Sequence, residues 1–125
     1  MCYCITALGG MVKEIRPNGR LKLTKLGGFA WNTVEGEGCT VFTQGGALRG
    51  SLLVVKASSH IFGAETGDLK RDDEAMEVRL DARTTSAAET RALGVGVGDV
   101  VAFDPRVEAG PAGFLRSRHL DDKAA

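Results

Sequence analysis

Apolar and polar residues alternate along much of this chain with a period of two, the repeat of a strand whose two faces meet different surroundings. Arg20 to Leu26 is the clearest case. Leu21 and Leu23, with Lys25, fall on one side, and Arg20, Lys22 and Thr24 on the other. Gly10 to Ile15 reads as a partner strand. Pro17-Asn18-Gly19 between the two is turn chemistry, because Asn-Gly accepts the positive φ of a tight hairpin. Cys39 to Thr43 and Ala47 to Val55 repeat the arrangement around Gln44-Gly45-Gly46. Gly50 is expected at a bend or bulge of the second arm, and the run Leu52-Leu53-Val54-Val55 fits burial on both faces. Met76 to Asp81 alternates as a strand, Val100 to Asp104 follows the Gly98-Asp99 turn, and Gly113 to Ser117 is a last strand-like run.

Only one stretch asks for a helix. Ser86-Ala87-Ala88-Glu89 is a capping box, with a serine oxygen for an orphan N–H and a glutamate three residues on. The helix it opens ends at Leu93-Gly94, where glycine suits the left-handed cap. Residues 57–73 show no period and are expected to form a long mobile surface loop. Strands close in sequence pair antiparallel, and a small sheet protein removes its exposed edges best by closing on itself. The expected fold is mainly β: a small closed or nearly closed β-barrel of about six or seven strands with one short helix.

Composition narrows the function classes. With 125 residues there is room for one domain with a real core. Sixteen basic residues balance sixteen acidic ones, so no overall field draws the chain to nucleic acid or an anionic membrane, and basic-aromatic interleaving is absent too. Lys13, Arg16, Arg20, Lys22 and Lys25 read as solvated hairpin positions rather than a basic face. No apolar run approaches the roughly 20 residues that span a bilayer. Three cysteines, Cys2, Cys4 and Cys39, make no disulfide framework and point to a reducing cytoplasm.

Most chemical motifs weaken on inspection. Cys2-x-Cys4 has the donors of a soft-metal site, but a short strand carrying small apolar cysteines accounts for it more simply. Ser58-Ser59-His60 lacks the acid and oxyanion donors of a nucleophilic site. Asp72-Asp73-Glu74 reads as a solvated charge run rather than a cation site, and Trp31 as a core or subunit-contact residue. Gly94-x-Gly96-x-Gly98 has neither the preceding strand nor the following helix of a phosphate loop. Ser117-Arg118-His119-Leu120-Asp121-Asp122-Lys123 is different: two hard carboxylate donors lie beside an imidazole, as divalent-metal chemistry requires.

Five stretches together resemble one family. They are Leu8 to Ile15, Gly27-Gly28-Phe29 to Glu35-Gly36, Leu93-Gly94 to Gly98-Asp99, Phe103-Asp104-Pro105-Arg106, and Ser117 to Lys123. In order and spacing they look like the glutamyl/deblocking/tetrahedral aminopeptidases, cytoplasmic dinuclear metallopeptidases of peptidase family M forty-two. The resemblance implies a β-barrel inserted into an α/β catalytic domain, a zinc or cobalt pair as cofactor, peptide hydrolysis from the N-terminus, and assembly into dimers and hollow dodecamers. It divides the chain into an atypical segment 1–7, a barrel insertion 8–117, and the start 118–125 of the second catalytic half.

By the same resemblance Asp121 is the metal-bridging aspartate, with Asp122 beside it and His119 as a weaker neighbour. The family's His-x-Asp motif has its counterparts in Cys4 and Thr6. A Cys4 thiolate is a zinc donor, whereas Thr6 cannot supply the carboxylate that orients a ligand. The general-base glutamate and the remaining ligands fall beyond position 125, which leaves one ligand position of five. On this reading the chain is a truncated, frame-shifted or excised piece, inactive alone. The alternative is a non-catalytic barrel that self-associates or docks onto a full-length relative. A barrel that adds a peptide to an exposed strand edge is a third class, with no residue specifically behind it.

Overall fold

The computed structural model describes residues 9–118 and 120. Six strands form a closed antiparallel barrel: β1 (Gly9–Ile15), β2 (Leu21–Leu26), β3 (Gly38–Thr43), β4 (Gly46–Val54), β5 (Met76–Leu80) and β6 (Val100–Phe103), in the order β1-β2-β5-β4-β3-β6. Closure leaves no free edge in the barrel, as the edge argument required. The thinnest seam joins β2 to β5, where Leu21 opposite Val78 is the single ladder pair.

The inward face follows the alternation. Val12, Leu21, Leu23, Val41, Leu52, Val78 and Val101 are at most 1% exposed and form one core. In β1 a register shift between Val12 and Glu14 leaves Lys13 and Glu14 both outside and returns Ile15 to the interior. No such shift occurs at Gly50, against expectation: β4 pairs with β3 and β5 without a break there. Glycine is required instead because a Cβ would lie 2.7 Å from the Arg79 carbonyl oxygen. The run 52–55 is buried on one face only, since Leu53 and Val55 are half-buried.

The connections differ more from the sequence reading. Residues 57–73 hold two short helical turns, α1 (Ser59–Phe62) and α2 (Glu65–Asp68), in place of an irregular loop. The single expected helix, α3 (Ala87–Ala92), has the full capping box and ends beside Gly94 at φ +94°. Its Thr90, fully buried, donates to the Gly19 carbonyl and ties the helix to the β1–β2 turn. The last strand-like run does not join the barrel. β7 (Glu108–Ala109) and β8 (Leu115–Arg116) pair with each other in a separate hairpin.

Candidate functional site

Strand direction gathers the chain's described ends at one end of the barrel. β1 begins with Gly9 opposite Leu26 and Ala102, and β6 runs antiparallel to it and finishes at Phe103. The polypeptide therefore enters and leaves the barrel on the same side, called here the junction end. An inserted domain has this geometry, because its two connections to a host must lie close together.

Two clusters build the junction end. In the first, Trp31 is 3% exposed, stands edge-on to Phe29, and donates its Nε1–H to Asp73 at 2.6 Å. The Lys25 ammonium lies 5.2 Å from the Trp31 ring centroid and donates to the Phe29 carbonyl at 2.7 Å. Trp31 is thus a core residue whose polar edge is satisfied. The second cluster is Glu37 with Arg106 and Arg118. Glu37 is 1% exposed; Arg118 Nε donates to its Oε2, and Arg106 Nε lies 2.5 Å from its Oε1. The Arg106 contact falls outside hydrogen-bond geometry and is a charge pairing. Arg118 also donates to the Thr33 carbonyl at 2.5 Å.

Beside them Asp104 accepts from both terminal nitrogens of Arg49. That guanidinium holds the Asp104 carboxyl below the usual carboxylate range.

The sequence candidates fare unevenly. Cys4, Thr6, His119, Asp121 and Asp122 lie outside the described residues. His60 is exposed on α1, and no acid hydrogen-bonds it among the described residues. Cys39 points into the barrel, fully buried, and burial pushes its thiol up to about 12, so it is no thiolate partner for Cys2 or Cys4. The run Asp72-Asp73-Glu74 is not a freely solvated one. Asp72 accepts the Glu74 and Ala75 N–H groups, Asp73 holds Trp31, and Glu74 pairs with Lys22. Nor are the hairpin's basic residues a free face: Arg16 and Arg20 both pair with Glu77, itself 1% exposed.

The Glu37 cluster is missing from the sequence reading, which assigns Glu37 no role. One signal was available, since Glu37, Cys39 and Val41 share the inward face by period two. Among the described residues no three His, Cys, Asp or Glu side chains converge as a metal site. The described part therefore does not by itself fit a metal pair.

Residues 6–125 match the family model of the M42 glutamyl aminopeptidases. The chain belongs to that family. A Bacillus subtilis (strain 168) protein named "Putative aminopeptidase YhfE" is 47% identical over 122 residues, covering 97% of this chain and 35% of that protein. This M42 chain thus spans about a third of the length of the curated relative it matches.

Solved structures agree on the fold. The TET aminopeptidase of Thaumarchaeota archaeon SCGC AB-539-E09 is 24% identical with a TM-score of 0.71, over 86% of this chain and 29% of that one. The TET1 peptidase of Pyrococcus horikoshii, which assembles into a tetrahedron or a large octahedral shell, is 21% identical with a TM-score of 0.74. That match covers 93% of this chain and 33% of the other.

Proposed function

We propose that this chain is the barrel portion, residues 8–117, of a metal-dependent aminopeptidase that removes residues from the N-terminus of peptides. The family match over residues 6–125 carries the proposal, and the junction of both barrel connections at one end supports it. Asp121 is the metal-bridging carboxylate, with Asp122 and His119 adjacent, and Cys4 stands at a lost ligand position. A zinc or cobalt pair bound there would polarise the peptide carbonyl and lower the pKa of water. One carboxylate cannot hold such a pair. The remaining ligands and the general base come from polypeptide outside these 125 residues, and the chain alone does not turn over peptides. A free buried thiol at Cys39 fits a reducing cytoplasm.

An aminopeptidase assay with zinc or cobalt tests this, on the chain alone and mixed with a polypeptide supplying the other two thirds of the relative. Activity is expected in the mixture only, and Asp121→Asn should abolish it. Mixture activity that survives Asp121→Asn overturns the assignment of that residue.

A second role, in assembly, has its own observation. Met11, Val100 and Phe42 lie side by side across β1, β6 and β3, and 37%, 46% and 51% of their surfaces are exposed. An apolar row of this kind on a barrel's outer face suits contact with a second copy or a full-length relative. The Pyrococcus horikoshii TET1 peptidase, a solved neighbour of this fold, can assemble into a tetrahedron or a large octahedral shell. Size measurement in solution, alone and with an intact relative, tests the role; a strict monomer that binds no relative sinks it.

A further inference from the structure

We infer that Glu37 is a positioning residue: with Arg106 and Arg118 it fixes the course of the polypeptide that leaves the barrel. Glu37 belongs to the barrel rim, where its N–H donates to Val34 and its carbonyl accepts from Leu52. Both arginines belong to the exit segment that follows β6. A buried carboxylate is costly unless paired, and among the described residues its two oxygens pair only with arginines of that segment.

Two further polar contacts tie the segment to the barrel, Asp104 accepting from both terminal nitrogens of Arg49 and Arg118 donating to the Thr33 carbonyl, but packing adds little. Val107, Phe114 and Leu115 are 68%, 79% and 63% exposed, so the β7–β8 hairpin buries almost no apolar surface against the barrel. Polar contacts supply the attachment instead. The Pro105 carbonyl accepts from the Arg118 N–H at 2.8 Å and from the Ser117 hydroxyl at 2.9 Å, which closes the segment into a loop. Arg106 closes it at a conformational cost, being the one described non-glycine residue with positive φ, at +48°. Strain of this kind persists where the surroundings over-determine it, and the Glu37 charge beside Arg106 does so.

Arg118 stands three positions before Asp121. The clasp therefore fixes the described backbone up to Arg118, and its bearing on Asp121 rests on the function proposed above.

Amide hydrogen exchange on the whole 125-residue chain tests the clasp. Glu37→Gln should raise exchange at the Arg118 and Gly110 amides by about tenfold or more, while β3 and β6 amides stay within about twofold. Arg118→Lys, which keeps the charge and loses the fork, should give an intermediate rise. Adding Arg118→Met to Glu37→Gln should raise exchange at Gly110 by less than the product of the two single effects, because the variants share the Glu37–Arg118 pair while Arg118 also holds the Thr33 carbonyl. If Glu37→Gln does not fold, Arg118→Met reads the same change at Gly110. Unchanged protection at Gly110 in a folded variant overturns the inference, and so does an even loss across β3 and β6. No readout involves metal or peptide, so this inference and the proposed peptidase role can fail separately.

Discussion

Gly50→Ala is expected to destabilise the barrel, although alanine is ordinarily the better strand residue. Relative to glycine, alanine recovers about 0.5–1 kcal/mol of backbone entropy. Against that stands the new Cβ, 2.7 Å from the Arg79 carbonyl oxygen and 3.1 Å from Val78 Cγ1, where ordinary contact begins at 3.4 Å. Neither neighbour can retreat at low cost. The ladder pairs Gly50 with Leu80 and Ser51 with Arg79, and Val78 is fully buried. Overpacking a rigid site costs about 1–3 kcal/mol, and a backbone obstacle belongs at the upper end. The net loss should be about 2 kcal/mol, or roughly 6–8 °C in Tm for a chain of this size.

Urea unfolding followed by fluorescence is the assay, because Trp31 is the sole tryptophan and is buried. Gly67→Ala is the control. Gly67 lies within α2 with nothing inside 4 Å of the added methyl, so this variant should gain up to about 1 kcal/mol. The two substitutions are chemically identical and opposite in sign. A Gly50→Ala midpoint equal to or above wild type, at unchanged m, would refute the close-approach argument.

Four further outcomes are expected. Glu77→Ala should cost about 3 kcal/mol by equilibrium unfolding, because it strips Arg16 and Arg20 of a carboxylate that is 1% exposed. Ser86→Ala should cost about 1 kcal/mol, and less when Glu89→Gln is already present, since both belong to one capping box. Glu74, Glu89 and Asp104 are held below their ordinary range by the Lys22 ammonium, the Thr85 backbone N–H and the Arg49 guanidinium, respectively. Depressed folded values contribute stability above the ordinary carboxylate range and lose it as pH falls through them. Tm should therefore drop with acid below about pH 4.5, with a shallower drop in Arg49→Gln. In a Cys2→Ser/Cys4→Ser background, Cys39 should resist a thiol reagent at pH 8 in the native state and react once urea unfolds the barrel.

The barrel was legible because its strands bury one face each. Leu21, Leu23, Val41 and Val78 declare an interior by period two, and Asn18-Gly19 and Gly45-Gly46 mark the hairpins that order the strands. Ser86 and Glu89 placed the helix, because a capping box is a local device that tertiary contacts did not override. Connections were harder. The turns α1 and α2 are four residues each with no buried residue, so no hydrophobic period marks them. Gly50 was misread because a glycine in a strand signals either a bulge or a close neighbour, and the sequence does not contain the neighbour.

Charges carried the largest error, and its cause is general to small barrels. Glu77 lies between Met76 and Val78, and alternation correctly puts it outside the core; yet it is 1% exposed, because Arg16 and Arg20 from the facing hairpin fold over it. Glu37 lies inside by the same alternation and is paired from the far end of the sequence, by Arg106 and Arg118. Hydrophobic period tells which way a side chain points, not what long charged partners later cover. A carboxylate two residues from a buried strand position is thus a place to look for distant arginines. In this chain that search leads to the junction end, where the exit segment is fastened by charge rather than by packing. A domain held to its connection in this way keeps its own core independent of whatever follows, so the barrel should fold alike with or without Arg118.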